Sequence, residues 1–120
     1  MPLVLAVAIM VSGWPVVLDG DTIVLDGARI RIANIDAPEI HNFHCDAERR
    51  LGLVAKRRMT ELLASGPVTV HPGDPDSGRI KDRYGRTLAT IEVDGHDVGD
   101  ILIAEGLARP WTGKRRSWCD

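Results

Sequence analysis

Between Asp19 and Glu39 the chain reads DGDTIVLDGARIRIANIDAPE, with five acids, Asp19, Asp21, Asp26, Asp36 and Glu39, against two bases, Arg29 and Arg31. Apolar residues alternate through the same stretch, so a short sheet-forming segment has to carry a dense set of carboxylates. Carboxylates brought together repel unless a proton or a cation intervenes. The stretch therefore points to a bound metal in a small β-rich domain. At 120 residues with 44% apolar content the chain can bury one core, and it is too short for two. The formal net charge of -2 argues mildly against tight backbone binding to nucleic acid. The charge is unevenly distributed, however: outside residues 19–39 the chain has thirteen bases and twelve acids.

Taken in order, Trp14 to Leu18 reads as a strand, Asp19-Gly20-Asp21 as a tight turn and Thr22 to Leu25 as the returning strand. Asp26-Gly27 marks a second hairpin turn. Ala28 to Ile35 alternates, with Ile30 and Ile32 on one face and Arg29, Arg31 and Ala33 on the other, as in a half-buried strand that Pro38 ends. Asp46 is the expected N-cap of a helix reaching about Ser65, with Leu51, Val54, Ala55, Met59, Leu62 and Leu63 as its apolar stripe and Gly66-Pro67 as its stop. Its other face, Arg49, Arg50, Lys56 and Arg57, reads as a solvated surface. Val68 to His71 and Thr87 to Val93 are two further strands. Between them lie a loop from Pro72 to Gly78 and the basic run Arg79, Lys81, Arg83 and Arg86. Asp97, with Asp100 three residues on, opens a short helix that Gly106 closes. The expected fold class is mainly β with α (α+β): a five-stranded OB-fold barrel with a long helix after strand 3 and a short C-terminal helix.

Three segments are expected: an apolar N-terminal segment at 1–13, the domain proper at 14–112, and a basic tail at 113–120 carrying Cys119. The apolar run from Pro2 to Val11 has the length of a signal-peptide core and is too short to span a bilayer, but no Lys or Arg precedes it. It reads either as a secretion signal without its basic start or as an extension of the first strand. Cys45 and Cys119 fit an exported protein with one disulfide and would be bystanders in a reducing compartment. The sequence favours an exported (periplasmic or secreted) or membrane-anchored protein over a cytoplasmic one. His41, His44 and Cys45 offer a partial zinc set whose fourth ligand would have to come from a distant part of the chain.

DGDT at 19–22, Arg31 with DAPE at 36–39, DRYGR at 82–86 and EGLA at 105–108, in that order, resemble the staphylococcal nuclease (thermonuclease) family from about Val16 to Trp111. The resemblance implies calcium-dependent hydrolysis of phosphodiester bonds in DNA and RNA. Position by position, it implies that Asp21, Asp36 and the backbone carbonyl of Ala37 bind the calcium ion (Ca2+). Ala37 replaces a common Thr there, which keeps the carbonyl and loses a hydroxyl. Glu39 corresponds to the general base, and Arg31 and Arg86 to the two arginines on the phosphate. The residue types agree with these roles, since a phosphodiester is an anion and guanidinium forks match its oxygens in pairs. Arg83, Tyr84 and Trp111 are candidate substrate contacts, the two aromatics by stacking on bases. The expected partner is a DNA and/or RNA substrate, with no stable protein partner and a monomeric enzyme. A non-catalytic OB-fold nucleic-acid-binding module is the alternative, and it would not need these acids and arginines together.

Overall fold

The computed structural model describes residues 9, 10 and 13–119. Its strands are β1 (Ile9–Met10), β2 (Val16–Asp19), β3 (Thr22–Leu25), β4 (Ala28–Ile32), β5 (Ile35–Asp36), β6 (Val68–Pro72), β7 (Thr87–Val93), β8 (His96–Asp97) and β9 (Arg109–Pro110), and its helices are α1 (Asp46–Ala64) and α2 (Val98–Ala104). The five expected strands are β2, β3, β4, β6 and β7. Four two-residue strands add to them.

Local chemistry sets the hairpins. Asp26 and Gly27 both adopt positive φ (49° and 81°), as do Asp94 and Gly95 (53° and 79°). A two-residue loop with both residues left-handed matches the twist of the strands it joins, and Asp-Gly tolerates that conformation best. The main sheet runs β1-β6-β7-β4-β3-β2, antiparallel except for the parallel β4·β7 pair, and β8 extends β7. Its two ends are β1 and β2, which are neighbours in the chain. Among the described residues no ladder joins β1 to β2, and the barrel stays open along that seam. Ile9 and Met10 pair with Val70 and Thr69, which makes this part of the apolar N-terminal segment a strand. Most of the expected signal stretch lies outside the described residues.

The core packs the inner face of the sheet against the two helices. Ile23, Ile32, Ile35, Met59, Ile91, Val98 and Leu102 are buried, and Ala55 and Ala89 let the layers approach. The expected strand from Ala28 to Ile35 is interrupted at Ala33-Asn34, after which β5 leaves the main sheet to pair with β9. Its burial does not alternate either: Ala28 and Arg29 are exposed, whereas Ile30, Arg31, Ile32 and Ala33 are all buried, with the Trp111 ring beside Arg31.

Helix α1 begins one residue earlier in role than expected, with Cys45 as N-cap and no side-chain cap bond, while Asp46 and Glu48 lie in its first turn. Its inward face is Glu48, Gly52, Ala55, Met59, Leu62 and Leu63. Val54 is instead exposed, and Leu51 sits at the margin of the core. Helix α2 starts as expected, with the Asp97 side chain accepting from the Asp100 N–H at 2.9 Å.

The tail folds back on the domain, and Cys45 and Cys119 form a disulfide that spans 74 residues of sequence. A covalent loop of that length removes about 4 kcal/mol of entropy from the unfolded chain. Reduction and alkylation should therefore lower the unfolding free energy by about 2–4 kcal/mol in urea titrations monitored by circular dichroism. Identical midpoints for the oxidised and reduced proteins would contradict this.

Candidate active site

The acidic turn between β2 and β3 is pressed against α1. A Cβ on Gly20 would lie 2.8 Å from the Cβ of Ala37 and 3.0 Å from that of Ala55, so only glycine lets the turn approach this closely. The Asp21 carboxylate that follows is buried. Its Oδ2 accepts the Ala37 N–H at 2.9 Å and lies 3.7 Å from Arg31 Nη2, and its Oδ1 accepts the Thr22 hydroxyl at 3.2 Å. Burial pushes this carboxyl up, but Arg31 and the hydrogen bonds outweigh it and hold Asp21 below the usual carboxylate range. Burial and the neighbouring Asp21 push Asp19 up to about 8, the opposite direction from Asp21.

Arg31 reaches this point from β4, its guanidinium almost entirely enclosed. Nη1 donates to the carbonyls of Ile32 and Ile35, the latter at 2.8 Å, and the Trp111 ring lies 5.5 Å away. Those bonds tie the β4–β5 break to the acid cluster. Asp36, next along, is buried, and burial followed by the charge of Asp21 moves its pKa upward against the opposing pull of Arg115 and Arg31. Its Oδ1 has no donor within hydrogen-bond geometry, although the Trp118 side chain faces Asp36 and Arg115 Nη1 is 3.8 Å away.

Glu39 lies past Pro38 at the mouth of the site, ion-paired with Arg115. Its backbone is fixed from below by Glu48 of α1, whose Oε2 accepts the Glu39 N–H at 3.2 Å and whose Oε1 accepts the His44 N–H at 2.8 Å. Gly52, one turn on, lets the helix pass under the Pro38 and Glu39 carbonyls, which a Cβ would meet at 2.9 and 3.1 Å.

Arg86 arrives from the DRYGR turn. Asp82 organises that turn by accepting from the N–H groups of Tyr84 (3.0 Å) and Arg86 (2.9 Å) and from Arg86 Nε (2.7 Å). Arg86 Nη1 reaches the Thr22 hydroxyl at 3.4 Å, so Thr22 links it to Asp21. The five expected catalytic and metal-binding side chains thus fall into two groups, Asp21, Arg31 and Arg86 joined through Thr22, and Asp36 and Glu39 joined through Arg115, set side by side by the bonds of Asp21 to the Ala37 N–H and of Arg31 to the Ile35 carbonyl.

Asp19, Asp21, Thr22, Glu39, Arg86 and Arg115 wall a cleft of about 520 Å3. A longer groove of about 910 Å3 shares Tyr84, Arg86 and Arg115 with it and adds Arg31, Arg83, Trp111 and Lys114. The three expected substrate contacts therefore line this groove. Arg83 and Arg86 both lie over the exposed Tyr84 ring, at 5.6 and 5.5 Å.

A hard cation suits the acid cluster at the edge of the cleft, where Asp19 and Asp21 line the wall and Asp36 lies behind it. Asp36 offers a buried oxygen without a donor, Asp21 lies beside it, and two of the three neighbouring carboxyls have raised pKa values that added positive charge would lower. Among the described residues no three or more His, Cys, Asp or Glu side chains converge as a ready metal cage. Carbonyl, water and phosphate oxygens would have to complete a shell, as hard cations accept. The zinc alternative fails because the Cys45 sulfur is bonded to Cys119, while His44 Nδ1 lies 3.0 Å from Glu48.

Three residues escaped the sequence reading. Glu48 carried a signal, being in helical phase with Gly52, Ala55 and Met59 on a face that should be apolar. Asp82 carried a weaker one inside its turn motif. Arg115 carried none, since its partners are remote in the chain.

Residues 29–117 match the family model described as staphylococcal nuclease homologue. Endonuclease YncB of Bacillus subtilis (strain 168) is 36% identical over 96 residues, covering 77% of this chain and 44% of the relative. The SPbeta prophage-derived endonuclease YokF of the same organism is 36% identical over 96 residues, covering 77% of this chain and 31% of its own length. Micrococcal nuclease of Shigella flexneri is 30% identical over 105 residues, with 77% and 53% covered. The chain spans less than half the length of the first two.

Burial raises the pKa of Glu48, but the N–H groups of His44 and Glu39 and the His44 side chain outweigh it and hold the carboxyl below its ordinary value. A depressed folded pKa stabilises the protein above the unfolded value and loses that effect as pH falls through the folded one. Glu48→Gln should therefore cost about 1.5–3 kcal/mol at pH 7. The difference from the unsubstituted protein should shrink below about pH 4.5. Urea titrations across pH check this, and a gap that stays constant through the acid range would rule it out.

Proposed function

From the premise that this chain belongs to the staphylococcal nuclease family, we propose that it is a calcium-dependent nuclease that hydrolyses phosphodiester bonds of DNA and/or RNA. The observation that carries the reading is that Asp21 and Arg31, joined to Arg86 through Thr22, stand beside Asp36 and Glu39, joined through Arg115, at the edge of one cleft, with a buried Asp36 oxygen lacking a donor. Asp21, Asp36 and the Ala37 carbonyl are the residues that would hold calcium, which when bound supplies Lewis acidity to the phosphate and a site for water.

The chain's own groups supply the rest. Glu39 takes a proton from the attacking water, whose oxygen forms the new bond to phosphorus as the P–O bond to one sugar breaks and that oxygen gains a proton. Arg86, oriented by Asp82, presents its remaining N–H groups to the non-bridging oxygens, where charge builds in the transition state. Arg31, held by backbone carbonyls, gives the same stabilisation from a fixed position that needs no reorganisation. Tyr84 and Trp111 along the groove suit the bases of an unpaired strand, and the stacking is tolerant of sequence. The Cys45–Cys119 bond supports export to an oxidising compartment.

Purified protein incubated with single-stranded DNA and with RNA should cleave with calcium and stop with chelator. Salt-sensitive binding without cleavage would favour the non-catalytic module. Glu39→Gln should slow hydrolysis by about 10²–10⁴-fold with oligonucleotide affinity retained. Rate and affinity falling together would make Glu39 a structural residue instead.

A further inference from the structure

The C-terminal chain comes to the active site by a defined route. β9 pairs with β5, placing Arg109 opposite Asp36, and the Trp111 N–H donates to the Asn34 carbonyl at 3.0 Å. Beyond Trp111 the chain forms a loop that is closed again at its far end. There Arg109 Nη1 donates to the Ser117 carbonyl at 2.8 Å, the Arg109 guanidinium lies 3.7 Å from the Trp118 ring centre, and Cys119 is bonded to Cys45 at the start of α1. Arg115 sits in the middle of this loop and borders both the acidic cleft and the basic groove.

Arg86 and Arg115 border both cleft and groove and Arg31 the groove alone, and the three guanidinium groups differ in how far they are committed. Arg31 is buried on two carbonyls, and Arg86 is tied through Nε to Asp82. The side chain of Arg115 is 48% exposed, and its partners in the site are the carboxylates of Glu39 and Asp36. About half of the Arg115 side chain faces the solvent from which a phosphate would arrive, whereas Glu39 and Asp36 are mostly enclosed, so the arginine is the partner free to exchange one anionic oxygen for another. A phosphodiester offers the same fork two oxygens.

We propose that Arg115 is a third phosphate-binding arginine, held at the cleft by the Cys45–Cys119 bond, and that it moves from Glu39 to the nucleic-acid backbone when substrate enters. The proposal rests on the nuclease reading and extends it. The exchange has two effects: the phosphate gains a contact besides those from Arg31 and Arg86, and the Glu39 carboxylate is released for the water. In the absence of substrate, the same arginine balances the charge of Asp36 and Glu39.

The test is binding of a short single-stranded oligonucleotide in chelator, followed by fluorescence anisotropy across a salt series, beside cleavage assays with calcium. Arg115→Ala should bind about tenfold more weakly at low salt. Its plot of log affinity against log salt should be shallower by about 0.7, the loss of one phosphate contact on a single strand. Reduction of the otherwise unaltered protein should produce the same loss, and reduction of R115A no further loss. Unchanged affinity and slope in R115A would overturn the assignment. So would tighter binding and faster cleavage, which would make Arg115 a plug. Reduction that leaves affinity unchanged would overturn the role of the disulfide. If reduction unfolds the chain, oxidised R115A still decides the arginine. An unsubstituted protein that cleaves while R115A matches it sinks this proposal alone, whereas one that binds no oligonucleotide at any salt sinks the nuclease reading with it.

Discussion

A carboxylate that is only 3% exposed stays ionised at Asp21 because the Arg31 guanidinium and the Ala37 N–H face it. Much of the site geometry follows from that enclosure. To reach Asp21, Arg31 must be buried, which needs a covering layer over β4; to be buried, it needs acceptors, which the carbonyls of Ile32 and Ile35 provide. Those acceptors are in place because the chain turns at Ala33-Asn34 and leaves the main sheet. The break in the strand and the position of the acids are thus parts of one arrangement.

Helix α1 is the platform beneath the site. Its first half is adapted for close approach, with Ala55 under Gly20 and Gly52 under the Pro38–Glu39 carbonyls. Its second half, from Met59 to Leu63, fills the core. Glu48 stands at the polar end of the same face, where a carboxylate with three bonds to the Glu39–His44 loop replaces the apolar residue that the helical phase would suggest. The core therefore continues into the site without a flexible joint, as groups that must act on a bound phosphate require.

The C-terminal chain has a comparable role from above. Two strand residues, a ring stack and a disulfide hold it where Arg115 and Trp118 approach Asp36. What the sequence presents as a basic tail is in the structure a wall of the cleft.

The turns, the start of the second helix and the identity of the acids and arginines were legible in the sequence because each depends on residues a few positions apart. Asp-Gly at 26–27 and 94–95 sets hairpins through its own backbone preference, and Asp97 caps the helix that starts beside it. DGDT, DAPE and DRYGR each fold into local geometry that presents their charged groups. Burial on both faces of β4, the exposure of Val54, the support from Glu48 and the place of Arg115 depend instead on which surfaces meet when distant segments pack. Charge and hydrophobic period can show that an acid cluster needs a counter-charge. Which arginine supplies it was decided only by the tertiary fold, because Coulomb attraction acts over distances in space and takes no account of separation along the chain.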